Sequence, residues 1–395
     1  MARKTSEELQ EIMKQEGVSR IWSWSKFNTF KTSPYEYLLK YIQHKEEDRQ
    51  DCIYTSTGSL AHDTLEKFYT GQIKYEDMIK EFEDGWVLLH DIAKLKFDRN
   101  NEEKDKSIGE KYYKNLQHFF NNHTVLTQKP AIEQFVKVKI GDNLFQGYVD
   151  CCVKDEEDNY HIIDFKTSSE YKGDKAKKEC GQLVCYALAL NQMGVPMNKI
   201  KIAWNFLKYC SVQYEQANGA VKTRSIERFE LGEKLQSNLK VWLKKLGYEE
   251  QMEDMLKMVI DTNGIECLPK EVQEKYIISD YYCYVDLTDD LINMWTNDII
   301  TTIRDIELRE KDYEETHSDK VFFDNEESVK KQSYYFSTLC GYSRRLHKPY
   351  DEFCKKLESS QNCIDIFNNI GNKTASITSK DVNNKEIDLS WLDSL

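Results

Sequence analysis

No stretch of this 395-residue chain is apolar enough to cross a bilayer: the longest apolar run, Val184 to Leu190, is far too short. The first residues, MARKTSEELQ, contain no apolar leader core, which predicts a protein that stays in the cytoplasm. The eleven cysteines include no CxxC pair, so free thiols in a reducing compartment are expected rather than a disulfide framework. There is no GxxxxGK[ST] loop, so any unwinding motor would have to act in trans. No internal repeat, low-complexity segment, zinc finger or homeodomain is evident. A cationic surplus is also missing. The net charge of −13 excludes a binder of polyanions that is basic on every face, although a local basic groove beside an acidic metal site remains compatible with it.

What is present centres on Phe145 to Thr167, FQGYVDCCVKDEEDNYHIIDFKT. Leu144 to Val153 and Tyr160 to Thr167 are rich in β-branched and aromatic residues, and the polar run Asp155 to Asn159 between them reads as a turn. In the resulting hairpin Asp164 and Lys166 share one face, and antiparallel pairing brings Asp150 towards them. Two carboxylates and a lysine at strand ends suit Mg²⁺ or Mn²⁺ and the hydrolysis of phosphodiesters. On its own, Asp-x-Lys at a strand end is an ordinary solvated edge. The core-like Ile162-Ile163 pair and the elements around the hairpin favour a site.

Taken in order, residues 1–20 read as a polar helix. Ser25 is expected to cap a turn bearing Phe27 and Phe30, and Ser33-Pro34 to open a further helix. Ser56 to Tyr69 reads as a helix with His62 and Glu66 on one face. A lone helical histidine is as often structural as functional. Helices are expected from Tyr75 to Phe120, separated by a solvated loop at Asp98 to Lys106. Ala131 to Ile140 reads as a strand joined by a tight turn to the hairpin, with Glu133 either reaching the site or edging it. One long helix is expected over about Ala176 to Met193, with Gln182 and Tyr186 a turn apart, then a strand from Ile200 to Leu207. Thr223 to Phe229 is expected to extend the sheet. Helices follow at Leu231 to Leu246, Leu287 to Asp312 and Pro349 to Phe367.

The motifs Gly58-x3-His62, Gly147-Tyr148-Val149-Asp150, Ile163-Asp164-Phe165-Lys166-Thr167 and Gln182-x3-Tyr186 closely resemble, in order and spacing, the RecB-like branch of the PD-(D/E)XK nucleases. That branch includes the RecB and AddB nuclease domains, CRISPR adaptation exonucleases and phage exonucleases, and the resemblance covers roughly residues 21–210. It implies an α/β fold: a restriction-endonuclease-like core of helix, three strands, helix and strand, with a mixed central sheet, embedded in additional helices. The expected division is an N-terminal helical segment (1–55), a nuclease core (56–210) with a helical insert at about 71–125, a C-terminal region (211–371) and a flexible tail (372–395).

By the same resemblance Asp150 and Asp164 are metal-binding carboxylates and Lys166 is the catalytic lysine. His62 and the main-chain carbonyl of Phe165 are further metal ligands, with secondary places for Glu133 and Glu66. Gln182 and Tyr186 contact the DNA backbone or brace the lysine. The implied activity is a Mg²⁺- or Mn²⁺-dependent exonuclease of DNA recombination, repair or replication, in a bacterium or a phage-infected cell, using metal-activated water. It would read no sequence and touch no membrane. Lys172, Lys175, Lys177, Lys178, Arg344 and Arg345 are candidate phosphate contacts, and the C-terminal tail is a candidate docking peptide for a protein partner. The alternative is an inactive nucleic-acid-binding or scaffold subunit on a decayed nuclease fold. Iron–sulfur members of the branch place a cysteine where this chain has Ser33, and around Cys340 only Cys354 adds sulfur nearby. A cubane needs four thiolates, so no iron–sulfur cluster is expected.

Overall fold

The computed structural model of the chain describes residues 3–216 and 218–374. Helix α1, Ser6–Glu16, begins at a capping box in which Thr5 Oγ1 accepts from the Glu8 amide at 3.2 Å and the Glu8 carboxylate accepts from the Thr5 amide at 2.8 Å. None of its residues is buried. Strand β1, Ile21–Ser23, then leads into α2, Trp24–Thr32. The cap of α2 is Ser23, which accepts from the Lys26 amide at 3.3 Å; Ser25, the expected cap, lies one residue inside the helix. Ser33 opens α3, Pro34–Tyr37, as the sequence predicts, and its Oγ accepts from the Glu36 amide at 3.0 Å.

Three helices cover one face of the sheet: α4, Ile53–Tyr69, α5, Met78–Val87, and α6, Glu102–Asn122. The charged run expected to be a loop is in large part the start of α6. Asn101 caps it by accepting from the Lys104 amide at 3.0 Å. Glu102, Glu103 and Asp105 fill a first turn where the helix dipole favours carboxylates. Asp105 turns inward and accepts the Phe97 amide at 2.7 Å.

Strands β2, Ala131–Ile140, β3, Asn143–Lys154, and β4, Tyr160–Lys166, form an antiparallel meander. The turn between β2 and β3 places Gly141 at φ 59, the positive φ that a two-residue hairpin turn asks of its first position. The crossover to the parallel strand β5, Ile200–Glu215, runs through α7, Asp174–Glu179, and α8, Gly181–Gln192. The single long helix expected here is interrupted at Cys180. Gly181 passes between two indoles, and a Cβ there would lie 2.3 Å from Trp24 and 2.6 Å from Trp295.

Strand β6, Val221–Glu227, follows, then α9, Leu231–Lys245, α10, Met252–Thr262, and α11, Lys270–Gln273. Next come β7, Tyr276–Val285, α12, Asp289–Thr316, α13, Glu326–Lys331, and α14, Lys348–Thr374. The seven strands make one mixed sheet in the order β1-β3-β4-β5-β6, with β2 beside β3 and β7 beside β5. Strand β5 runs eight residues beyond the expected Leu207 and β7 was not expected. The proposed tail lies outside the described residues from 375 onward.

Ile162 and Ile163 are both buried and belong to different cores, so the β4 strand is covered on both faces. Ile162 belongs to the cluster that includes residues of α2, α3, α8 and α12, and Ile163 to the one that includes residues of α4, α5 and α6. A third apolar cluster joins β6 to α9 and α10. This clamping from two sides fixes where the polar ends of β3 and β4 emerge.

Candidate active site

The β3–β4 hairpin brings Asp150 against the next strand, where its Oδ2 accepts the Phe165 amide at 3.1 Å. Helix α4 delivers His62 to the same place. Its Nε2 lies 2.8 Å from the Phe165 carbonyl oxygen and its Nδ1 lies 3.4 Å from Asp150 Oδ2. A carbonyl only accepts, so Nε2 carries a proton and Nδ1 is the nitrogen turned towards the carboxylate. That is the arrangement of a metal-ligating histidine oriented by a carbonyl behind it. The Phe165 carbonyl, expected as a direct ligand, is the partner of His62 here.

Glu133 completes the group. Ile132 pairs with Cys151 and Gln134 with Val149, so Glu133 falls opposite Asp150 in the β2–β3 ladder. Its φ of 49 is left-handed, a conformation that costs a residue with a side chain about 1–2 kcal/mol. Such backbone strain concentrates at functional sites. His62, Glu133 and Asp150 each offer a ligand atom within 4.8 Å of the others. Glu66 lies outside this group of three, but its charge, after burial, helps hold the Glu133 carboxyl above the usual range.

Burial, and then the charge of Asp164, push the Asp150 carboxyl up to about 7. Asp164 itself is buried, and its Oδ2 has no hydrogen-bond partner although Lys166 Nζ stands 2.7 Å away as an ion pair. Burial opposes the Lys166 charge, yet the Asp164 carboxylate outweighs it and holds the ammonium above the ordinary lysine range. Three carboxylates and an imidazole gather around one ammonium in a largely dry place. A divalent cation with oxygen and nitrogen ligands fits that donor set.

Gln182 and Tyr186 form the adjoining wall. Gln182 Nε2 donates to the Tyr186 hydroxyl at 2.9 Å, and the tyrosine ring rests on Gly147, where a Cβ would meet it at 2.8 Å. Together with the metal-site residues they line a cleft of about 1140 Å³. Of the expected phosphate contacts, Lys175 and Lys178 line this cleft and Lys172 and Lys177 do not. Arg344 and Arg345 are also absent from its lining, and Arg344 is paired with Glu358 at 2.8 Å. Sequence reasoning missed Arg3, Lys31, Trp24, Tyr148 and Trp295, which the fold gathers around the same space. Only Tyr148 carried a local signal, since it stands two residues before Asp150 on the same strand.

A curled mixed sheet wrapped by helices, with carboxylates and a lysine at the ends of a central hairpin, defines the restriction-endonuclease-like class. The family model of the PD-(D/E)XK nuclease superfamily matches residues 21–275, more than half of the chain, and the chain belongs to that superfamily. The family makes it a metal-dependent nuclease, a phosphodiester hydrolase acting on DNA. No curated protein matches the chain. Among the described residues, no helix is long and apolar enough to cross a membrane.

Proposed function

We propose that the chain is a Mg²⁺- or Mn²⁺-dependent exodeoxyribonuclease of the RecB-like branch, serving DNA recombination, repair or replication. The observation that carries this reading is the convergence of His62, Glu133 and Asp150 within 4.8 Å, beside the buried Asp164–Lys166 pair. In this reading His62, Glu133, Asp150 and Asp164 hold the ion. Bound there, a divalent cation supplies the positive charge that polarises the phosphoryl group and makes water acidic enough to attack.

The residues of the chain do the remaining work. Lys166, kept protonated by Asp164, offers a fixed ammonium to the charge that develops on the phosphoryl oxygens. The His62 imidazole keeps its tautomer through the Phe165 carbonyl. Gln182 and Tyr186 shape the wall against which the strand is positioned. The exonuclease assignment is supported by the lack of any separate module for reading base sequence. Ser33 donates to Asp324 at 2.7 Å and lies 3.1 Å from His347, so that position is occupied by a hydrogen-bonded polar cluster, in keeping with a member free of iron and sulfur.

Digestion of end-labelled linear, circular and single-stranded DNA with and without Mn²⁺ tests the reading. Linear DNA should be degraded from its ends and closed circles spared. Asp150→Ala, Asp164→Ala and Lys166→Ala should each lower turnover by about 10²-fold or more, as expected when a group that stabilises transition-state charge is removed. Each should still unfold cooperatively, with Asp164→Ala and Lys166→Ala melting below the wild type because each leaves one charge of a buried pair without its partner. Near-normal turnover in any of the three at saturating metal would refute the site assignment.

A further inference from the structure

Cations stand on both sides of the carboxylates, and several are already neutralised. Lys166 is paired with Asp164 at 2.7 Å, Lys31 with Asp298 at 2.5 Å and Lys4 with Glu8 at 2.6 Å. Among the described residues, three cations that line the cleft have no ion-pair partner: Arg3, Lys175 and Lys178. They lie on opposite flanks of the hairpin. The Arg3 guanidinium is 5.8 Å from the centroid of the Tyr148 ring, which sits edge-on to Phe135 of β2. Lys175 is 5.0 Å from the centroid of Tyr171, whose ring packs edge-on against Trp204 and Phe206 of β5. Strands β3 and β4, with Asp150, Asp164 and Lys166, run between β2 and β5 in the sheet.

On each flank a positive charge without an ion-pair partner among the described residues therefore lies over an aromatic ring facing the cleft, and the charge of Arg3 is also felt by the Glu133 carboxylate. Sites for single strands are built in this way, with cations tracking the phosphates and rings offering a surface to the bases. A duplex keeps the faces of its bases inside its own stack and can use only the charges. We propose that the segment Arg3–Glu16 is a strand-holding arm, and that Arg3 with Tyr148 forms a subsite for one nucleotide of a single strand. Lys175, Lys178 and Tyr171 hold the strand beyond the reacting phosphodiester. The proposal deepens the nuclease reading and rests on it for the location of the reacting bond.

The attachment of the arm suits this role. Helix α1 buries no residue, and it is tied down by the Lys4 amide on the Tyr148 hydroxyl and by Glu16 on Lys137 and Lys139. Exposed ion pairs of this kind contribute about 0–1 kcal/mol each, so the arm can adjust to a strand. Arg3 can be replaced without disturbing a core.

The test is equilibrium binding of a short fluorescent single-stranded oligonucleotide, and of the matching duplex, in Ca²⁺ over a range of salt. Wild type, Arg3→Ala, Arg3→Lys and Arg3→Glu are compared, with thermal melts to confirm folding. Arg3→Ala should weaken strand binding about fivefold, the upper range for an exposed charge contact. It should also reduce the slope of log K against log salt by about 0.7, the value for one phosphate on a single strand. Arg3→Lys should restore the slope, Arg3→Glu should weaken binding further, and the duplex, which can use the charge but not the Tyr148 ring it orders, should lose less than the single strand. Unchanged affinity and slope in Arg3→Ala would overturn the subsite, and an equal loss on the duplex would overturn its assignment to a single strand. If those results come with Mn²⁺-dependent cleavage by the wild type, the arm alone has failed. Arg3-dependent strand binding without cleavage would instead refute the nuclease reading and leave the arm standing. A wild type that binds neither nucleic acid would refute both.

Discussion

At the scale of single residues, the site combines strain with crowded charge, and each has a measurable consequence. Glu133 holds a left-handed φ opposite Asp150, so Glu133→Gly should relieve about 1 kcal/mol of backbone strain together with a carboxylate from the crowded site. The metal-free variant should melt at a higher temperature than the wild type and bind Mn²⁺ more weakly. A lower melting temperature with unchanged Mn²⁺ affinity would show that Glu133 is a structural turn residue. Asp150 titrates near 7 in the metal-free fold, above its unfolded value near 4. Between those values the folded state binds the extra proton, so the contribution of Asp150 to metal-free stability falls as pH rises through that window. A cation needs the ionised form. The gain in melting temperature from saturating Mn²⁺ should therefore grow from about pH 5 to about pH 8. A gain independent of pH would place the ion elsewhere.

At the scale of elements, the hairpin and its flanks were legible because period-two alternation and polar turns mark them locally. The same register could have located Glu133. With a two-residue turn at Gly141-Asp142, Ile140 pairs with Asn143, and counting outward sets Glu133 against Asp150. Other features depend on partners far along the chain. The interruption between α7 and α8 follows from Trp24 and Trp295 closing on Gly181, neither of them near it in sequence. Gly181→Ala should accordingly cost about 1–3 kcal/mol, read as a lowered midpoint in urea unfolding, because two fixed indoles must move. A neutral effect would mean that the crossover has slack there. Strand β7 escaped notice because Asp280 interrupts its apolar pattern. That carboxylate is buried against His123 at 2.6 Å and Arg228 at 2.6 Å, partners that sequence alone does not reveal.

At the scale of the whole molecule, a net charge of −13 surrounds a cleft meant for a polyanion. Local cations on the cleft walls and a divalent ion on its floor reconcile the two, because screening confines charge effects to about 10 Å at ordinary salt. The sequence pointed to the floor through its motifs. It was silent on the walls, since Arg3 and Lys31 reach the cleft only through the way α1 and α2 lie across the sheet. Everything in the functional reading depends on a cation sitting among His62, Glu133 and Asp150. The most direct test is anomalous diffraction from crystals grown with saturating Mn²⁺. An anomalous peak within bonding distance of His62 Nδ1 and of the Glu133 and Asp150 carboxylates is predicted, and it should vanish in Asp150→Ala. A fully ordered site with no peak, or a peak only elsewhere, would contradict the assignment.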